Sequence, residues 1–390
     1  SRSRPHSEPA LLTAGFRPFF FLAGVWSAIA IPLWLAAFDG DADVPSALAP
    51  YVWHAHEMIF GYALAAIAGF LLTAIPNWTG RAPLRGAPLA GLAALWIAGR
   101  LGVLFSQGLG AAAATAIDLA FPVLFLATAA REIVAGKSWR NLPVLGALSL
   151  LLLGSALVHA EALRLGSTAA LGNRIGVATL AMLIAFIGGR IVPSFTRNWL
   201  AKERPHTALP AAAGRFDLVA LAVAGVALAL WAAAPDSAVA PWTELAGGIA
   251  LAARLARWSG TATLAEPLLW ILHVGYAWLA LGLLLLAFAG FDPVLPATTA
   301  LHALTAGAVG TMTLAVMTRA TLGHSGRTLT AGPGTTVIYI LVTFAAAVRV
   351  LAPLAGAHYM AALAVAGAAW TGAFGLFTAL YGPLFFKPRR

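Results

Sequence analysis

The chain has no cysteine in 390 residues. That excludes disulfides, thiolate-held metals and iron–sulfur clusters. Any metal must be bound by histidine, methionine, carboxylate or backbone. Charge is also scarce. Only 10% of residues are Asp, Glu, Lys or Arg, against roughly 25% in soluble domains, and 14 are acidic. What fills the chain is apolar: 61% of it is hydrophobic and the mean hydropathy is +0.86. No soluble core hides that much apolar surface, so the solvent is the lipid bilayer. The net charge of +10 would suggest nucleic acid in a soluble protein. Here the basic residues read as topology signals, and no nucleic-acid partner is expected. The opening SRSRPHSEPA lacks methionine and shows no signal-peptide cleavage pattern.

The fold class expected is an all-α polytopic membrane protein of about twelve transmembrane helices. They are expected at about 18–38, 53–76, 88–107, 111–131, 142–163, 171–192, 217–234, 241–257, 266–289, 296–318, 334–355 and 358–381. Turn-rich separators such as DGDADVP, PNWTGRAPLRGAP and GFDPVLP divide them. The eighth is the shortest. Charge placement supports an even count. The termini and the connections after even-numbered spans hold nineteen of the 24 basic residues, from Arg2 and Arg4 to Lys387, Arg389 and Arg390. The other connections hold Asp39, Asp41, Asp43, Glu161, Asp236 and Asp292, with Arg164 basic. The positive-inside rule then places both termini and the basic connections in the cytoplasm.

Ionisable groups within hydrocarbon are costly, about 2.5–3.5 kcal/mol each on insertion scales, so each is a candidate for function. His54, His56 and Glu57 open the second span and His302 lies two turns into the tenth. Arg100, Asp118, His159 and Arg349 fall in the outer parts of spans 3, 4, 5 and 11. All share one level in the outer half of the bilayer, while His273 and Arg190 lie deeper. The plain reading of His159 is a hydrogen bond to a neighbouring helix. For Arg100 and Arg349 it is snorkelling. Taken together, histidines and arginines at one depth suit haem iron or copper, with the arginines on a haem's carboxylates.

In WHAHEMIFGY, His54 and His56 are two apart on a helix and point roughly 200° apart. They cannot comfortably share one metal. Either one binds iron while the other bonds a second partner, or each serves a different centre on opposite sides of the span. His54 and Glu57, three apart, share a face of a regular helix. Glu57 is then placed to orient His54, ligate a second metal or carry protons.

An internal repeat is visible. HEMIFGYALAAIAGFLLTAIPNWTGR and HALTAGAVGTMTLAVMTRATLGHSGR both open with His and close on Gly-Arg, with Gly61 and Gly307 five after their histidines. NRIGVATLAMLIAFIGGR repeats the pattern more weakly in span 6. Spans 2, 6 and 10 are four apart, which suggests three four-helix units at 1–140, 141–262 and 263–390 within a single membrane domain. The arrangement resembles the haem–copper oxidase core subunit, which has haem ligands on its second and tenth helices. The active-site copper signature is absent, so proton-pumping oxygen reduction is not expected.

Longer motifs point to a narrower family. GFRPFF at 15–20, WHAHEMIFGY at 53–62, GFLLTAIPNWTGR at 69–81, GGRIVPSFTRN at 188–198 and LHALTAGAVGTMTLAVMTRATLGHSGR at 301–327 resemble the NnrS family of bacterial haem- and copper-containing membrane proteins linked to nitric oxide. The resemblance implies haem, copper and a role in the nitrosative-stress response of denitrifying bacteria. It does not assign ligands.

From depth and geometry, His302 and one of His54 or His56 are expected as ligands of a haem, b-type in expectation, with Arg100 and Arg349 on its carboxylates. The wider metal-ligand set is His54, His56, His302, His159 and His273. The leading expectation is a protein that binds nitric oxide or removes it reductively, with quinol or another electron donor. Glu57 and Asp118 are the candidate proton-carrying catalytic carboxylates. His273, with Glu266 and Trp270, is a candidate quinol site. Copper has thin support: Met58, Met312 and Met317 are the span thioethers near the motif histidines, and His324 reads as a loop residue. Two alternatives remain open, a non-catalytic sensor or assembly factor and a transporter with a cavity near the midplane.

Overall fold

The structure is a computed structural model that describes residues 9–292 and 294–388. Arg2, Arg4, Arg389 and Arg390, and the first eight residues of the opening segment, lie outside the described residues. Among those described, the chain is helical with no strand. Twelve long helices run in order: α1 (Phe16–Asp39), α2 (Pro50–Thr79), α3 (Gly86–Leu104), α4 (Ala111–Ala135), α5 (Trp139–Ala162), α6 (Ala169–Glu203), α7 (Arg215–Ala233), α8 (Ala240–Ala256), α9 (Pro267–Phe291), α10 (Ala297–His324), α11 (Pro333–Leu354) and α12 (Gly356–Phe385). Eleven are long and apolar enough to cross a membrane. The exception is α8, whose 17 residues extend about 25 Å, short of a hydrocarbon core of about 30 Å.

The outer surface of the bundle is as apolar as its interior. Leu218 is 68% exposed, Val226 59%, Ile340 56% and Phe288 55%. Large apolar side chains are tolerated on that scale only where lipid meets them. The chain is thus a multi-pass membrane protein.

Sequence neighbours pack side by side, and α12 returns to α1. Trp370 Nε1 on α12 donates to the Ser27 carbonyl (3.2 Å) and hydroxyl (2.9 Å) on α1. Arg17, buried in the GFRPFF motif, donates through Nη1 to the carbonyls of Leu384, Phe385 and Lys387 at 3.2, 2.9 and 2.7 Å. The first two end α12 and the third follows it, where intrahelical partners are lacking, so one cation fastens the last helix to the first.

Helices α2, α6 and α10 meet in the interior, and each contains a π-helical segment: Glu57–Ala63, Ile184–Gly188 and Ala303–Gly310. These are the three helices that align in sequence. Two helices outrun expectation. α6 continues to Glu203 rather than 192, and α10 to His324 rather than 318. Their last turns are polar, with Arg190, Arg197 and Lys202 on α6. Hydropathy falls there, yet the backbone hydrogen bonds continue.

Candidate functional site

The two histidines of WHAHEMIFGY face different surroundings, as their spacing requires. Each joins a separate group at the end of the bundle where α2, α4, α10 and α12 begin.

His54 is half-buried and stacks on Trp34 of α1, with ring centroids 4.2 Å apart and 23° between planes. Its Nδ1 is buried without a hydrogen-bond partner. His302 of α10 and Arg349 of α11 lie within electrostatic reach of it and of each other. His302 Nδ1 donates to the Thr298 carbonyl at 2.7 Å. That fixes the tautomer and leaves Nε2 as a bare acceptor, the usual state of a metal-ligating histidine. Arg349 Nη1, Trp34 Nε1, Trp53 Nε1 and Thr299 Oγ1 are also buried without partners. Orphaned polar atoms are rare in folded chains. Here several gather around two histidines and an arginine, which fits a polar ligand bound between them.

His56 belongs to the second group, with Glu57, Arg100, Asp118 and His159, all nearly fully buried. Arg100 of α3 donates through Nη1 to Glu57 Oε2 at 2.8 Å and through Nη2 to Asp118 Oδ1. His56 Nδ1 meets Glu57 Oε1 at 3.1 Å, and its Nε2 lies 3.2 Å from Asp118 Oδ2. His159 of α5 approaches the same oxygen through Nε2 at 2.8 Å, while its Nδ1 lies 3.2 Å from the Thr115 hydroxyl. The Ser155 hydroxyl is 3.3 Å from His56 Nε2 and donates to Asp118 Oδ2 at 3.4 Å. One ligand atom from each of His56, Asp118 and His159 falls within 4.8 Å of the other two, close enough to hold a metal ion.

The π-helical turn makes this group possible. Gly61 lies inside it, and a Cβ there would stand 2.5 Å from Arg100 Nη1. Trp96 Nε1 donates to the Gly61 carbonyl at 3.1 Å, satisfying backbone that the wider turn exposes.

Several expectations change against this geometry. Arg100, expected to face a haem carboxylate, is held by two protein carboxylates with only its Nε left unpartnered, whereas Arg349 pairs with no carboxylate among the described residues and keeps Nη1 unpartnered. Glu57 bonds His56 rather than His54, because the winding changes to π at Glu57 and the three-residue face rule no longer holds. His159 is not a lone helix-to-helix bond but part of the cluster. His273 is brought to none of the other candidates. Its Nδ1 donates to the Leu269 carbonyl at 3.1 Å, and Nε2 lies 3.5 Å from the Thr196 hydroxyl. Glu266 caps α9 by accepting from the Leu268 amide at 3.0 Å, a sufficient structural role. Trp270 packs against Tyr339. Met312 and Met317 line a cavity away from the histidines, while Met58 packs near Trp34 and Trp53. His324 sits against the Phe16 ring, centroids 5.5 Å apart.

Other residues were invisible to sequence reasoning. Arg254, counted among cytoplasmic topology signals, is buried. It donates to Asp217 at 2.8 Å, to the Ala185 carbonyl in the π-helical segment of α6 at 2.7 Å, and to the Tyr276 hydroxyl at 3.0 Å. Tyr62 joins α2 to α10 through a hydrogen bond to Thr313. Asp217 in the first turn of an apolar helix was the one available signal. Between α2, α6 and α10 lies a cavity of about 90 Å³, lined by apolar side chains including Phe70, Ile184 and Met312, with Thr313 among them.

No curated protein matches the chain. The model of the family described as NnrS protein matches residues 10–389, nearly its whole length, and the chain belongs to the NnrS family, which links it to nitric oxide.

Proposed function

We propose that this protein is an integral haem protein of the bacterial cytoplasmic membrane, with both termini in the cytoplasm, that binds nitric oxide or removes it reductively. The observation that carries the reading is the meeting of His54, His302 and Arg349 with their unsatisfied polar atoms. His302 would ligate through Nε2, with Nδ1 held by Thr298. His54, stacked on Trp34, would be the second ligand and would have to give way for nitric oxide to bind the iron. Arg349 would bind the haem's carboxylate groups by charge-assisted hydrogen bonds. A haem there, b-type in our reading, supplies an iron that binds nitric oxide or passes electrons.

Reduction consumes electrons and protons. Glu57 is the proton carrier in this proposal. It directly follows His56 in the chain and is bonded to His56 and Arg100. Asp118, whose Oδ2 is shared by His56, His159 and Ser155 while Oδ1 takes Arg100, serves as a fixed anion. Electrons would come from quinol or another donor. The apolar cavity between α2, α6 and α10 suits a neutral diatomic that dissolves in lipid. A polar transported solute would want polar lining, which favours the nitric oxide reading over the transporter. Copper, if bound, would find nitrogen and oxygen donors in the His56 group. A sensor needs the same ligands as a reductase, and turnover separates the two.

The test is the optical spectrum of the reduced protein in detergent, before and after anaerobic nitric oxide, with His302→Ala alongside. Wild type is expected to hold haem whose spectrum nitric oxide alters, and His302→Ala to lose it. Full haem retention in the variant would sink the assignment.

A further inference from the structure

We infer that His56 Nε2, His159 Nε2 and Asp118 Oδ2 are the protein ligands of a second, non-haem centre that takes a divalent first-row metal of the iron(II) class. The inference does not depend on the haem reading, since the two groups share no residue.

Hydrogen-bond polarity carries the argument. The Thr115 hydroxyl donates its one proton to the Ala111 carbonyl at 2.7 Å. At His159 Nδ1 it can therefore only accept, so His159 carries its proton on Nδ1. Glu57 Oε1 faces His56 Nδ1. Its partner oxygen takes a hydrogen bond from Arg100, and with Oε1 as the acceptor His56 also carries a proton on Nδ1. Both Nε2 atoms then face one carboxylate oxygen, 3.2 and 2.8 Å away. Three lone pairs converging on one point repel unless a cation sits among them. One proton answers for one nitrogen, whereas one metal ion answers for all three atoms.

The surroundings are those of a metal centre. Metal–nitrogen bonds of about 2.0–2.1 Å place neighbouring ligand atoms about 3.0–3.4 Å apart, which brackets the His56–Asp118 separation and is slightly longer than the His159–Asp118 one. Both histidines are tethered at Nδ1, one by a carboxylate and one by a hydroxyl, the outer support that fixes metal-binding imidazoles. Arg100 pins the other Asp118 oxygen. Two buried carboxylates against one buried guanidinium leave the group one negative charge, which attracts a cation.

The donor set narrows the metal. Two histidines and one carboxylate with positions left open are the ligands of non-haem iron(II) sites. The chain offers no thiolate, which removes the usual soft copper site. Iron(II) with open positions binds nitric oxide directly, so the protein would carry two places for the gas.

The test uses haem-replete protein in detergent, stripped of loose metal and then titrated anaerobically with iron(II), zinc(II) or copper(II). Haem and non-haem metal are measured separately. Wild type is expected to retain one equivalent of non-haem iron per chain and to give, with nitric oxide, a high-spin iron–nitrosyl EPR signal distinct from a haem nitrosyl. His159→Gln and Asp118→Asn should lose both while keeping haem. Thr115→Val, which removes only a tether, should weaken iron binding by about tenfold. Folded wild-type protein that retains no iron, or His159→Gln retaining as much as wild type, overturns the proposal. Loss of haem in His302→Ala with the iron signal intact would confirm that the two centres are independent.

Discussion

Replacing Gly61 by alanine adds one methyl group where the buried ion cluster has no room. That methyl would stand 2.5 Å from Arg100 Nη1, 3.1 Å from Glu57 Oε2 and 3.2 Å from Trp26 Nε1. An arginine tip usually yields, but this one is held on both sides, by Glu57 at 2.8 Å and by Asp118. Ordinary contact at about 3.5 Å requires the guanidinium to retreat by about 1 Å, which breaks at least one charge-assisted hydrogen bond. Such a bond contributes about 1.5–3 kcal/mol, and overpacking adds about 1–3 kcal/mol. Alanine returns up to about 1 kcal/mol of helix propensity. The expected net destabilisation is about 2–4 kcal/mol.

Gly91→Ala is the matched control. Gly91 is exposed on α3 with nothing within 4 Å of its added Cβ, so only the helix-propensity gain remains. Thermal unfolding in detergent, followed by circular dichroism, should show Gly61→Ala melting well below wild type and Gly91→Ala level with it or above. Arg100→Lys in the Gly61→Ala background removes the crowded fork, so the pair should be less than additive. If Gly61→Ala is as stable as wild type, Arg100 does not occupy the groove that the π-helical turn leaves open, and the site described here is wrong.

Arg17→Met strips three carbonyls at the end of α12 of their shared cation. A loss of about 1.5–3 kcal/mol is expected, with faster proteolysis confined to the C-terminal end, readable by mass spectrometry. His273→Gln should leave both haem content and non-haem metal content unchanged, because His273 bonds only its own helix and its immediate packing neighbours. A drop in either would return it to the ligand set.

The helices were legible because the bilayer imposes a simple requirement: long apolar runs with every backbone group bonded internally. Even the weak eighth helix, Ala240–Ala256, was visible as the shortest. The opposed directions of His54 and His56 followed from helical period alone. The partners of Arg100 did not. An arginine in an apolar run shows that something must neutralise it, but sequence does not say whether a ligand or a distant carboxylate does so. Asp118 is 18 residues away on another helix. Arg254 was hidden for the opposite reason. Near a helix end it looks like an ordinary topology residue, and its burial against Asp217 and Ala185 comes from tertiary packing. Changes of winding also escape a periodicity argument, which assumes 100° per residue throughout.

Those changes of winding explain how two different groups of polar side chains sit side by side. A π-helical turn accommodates an extra residue and leaves backbone groups open to partners outside the helix. In α2 it begins directly after His56, takes Glu57 out of the face of His54 and into that of His56, and opens the Gly61 carbonyl to Trp96. In α10 it begins directly after His302. The carboxylates therefore gather on the side of α3, α4 and α5, where Arg100 meets both of them. The other side, toward α10 and α11, holds His54, His302 and an Arg349 nitrogen that no described carboxylate answers. A cation left unanswered at membrane depth is expensive unless an anion comes to it. The His54 side therefore calls for a ligand with negative groups, and the His56 side for a cation. A haem carrying carboxylates and a divalent metal meet those opposite demands, which a single shared metal between the two histidines would not.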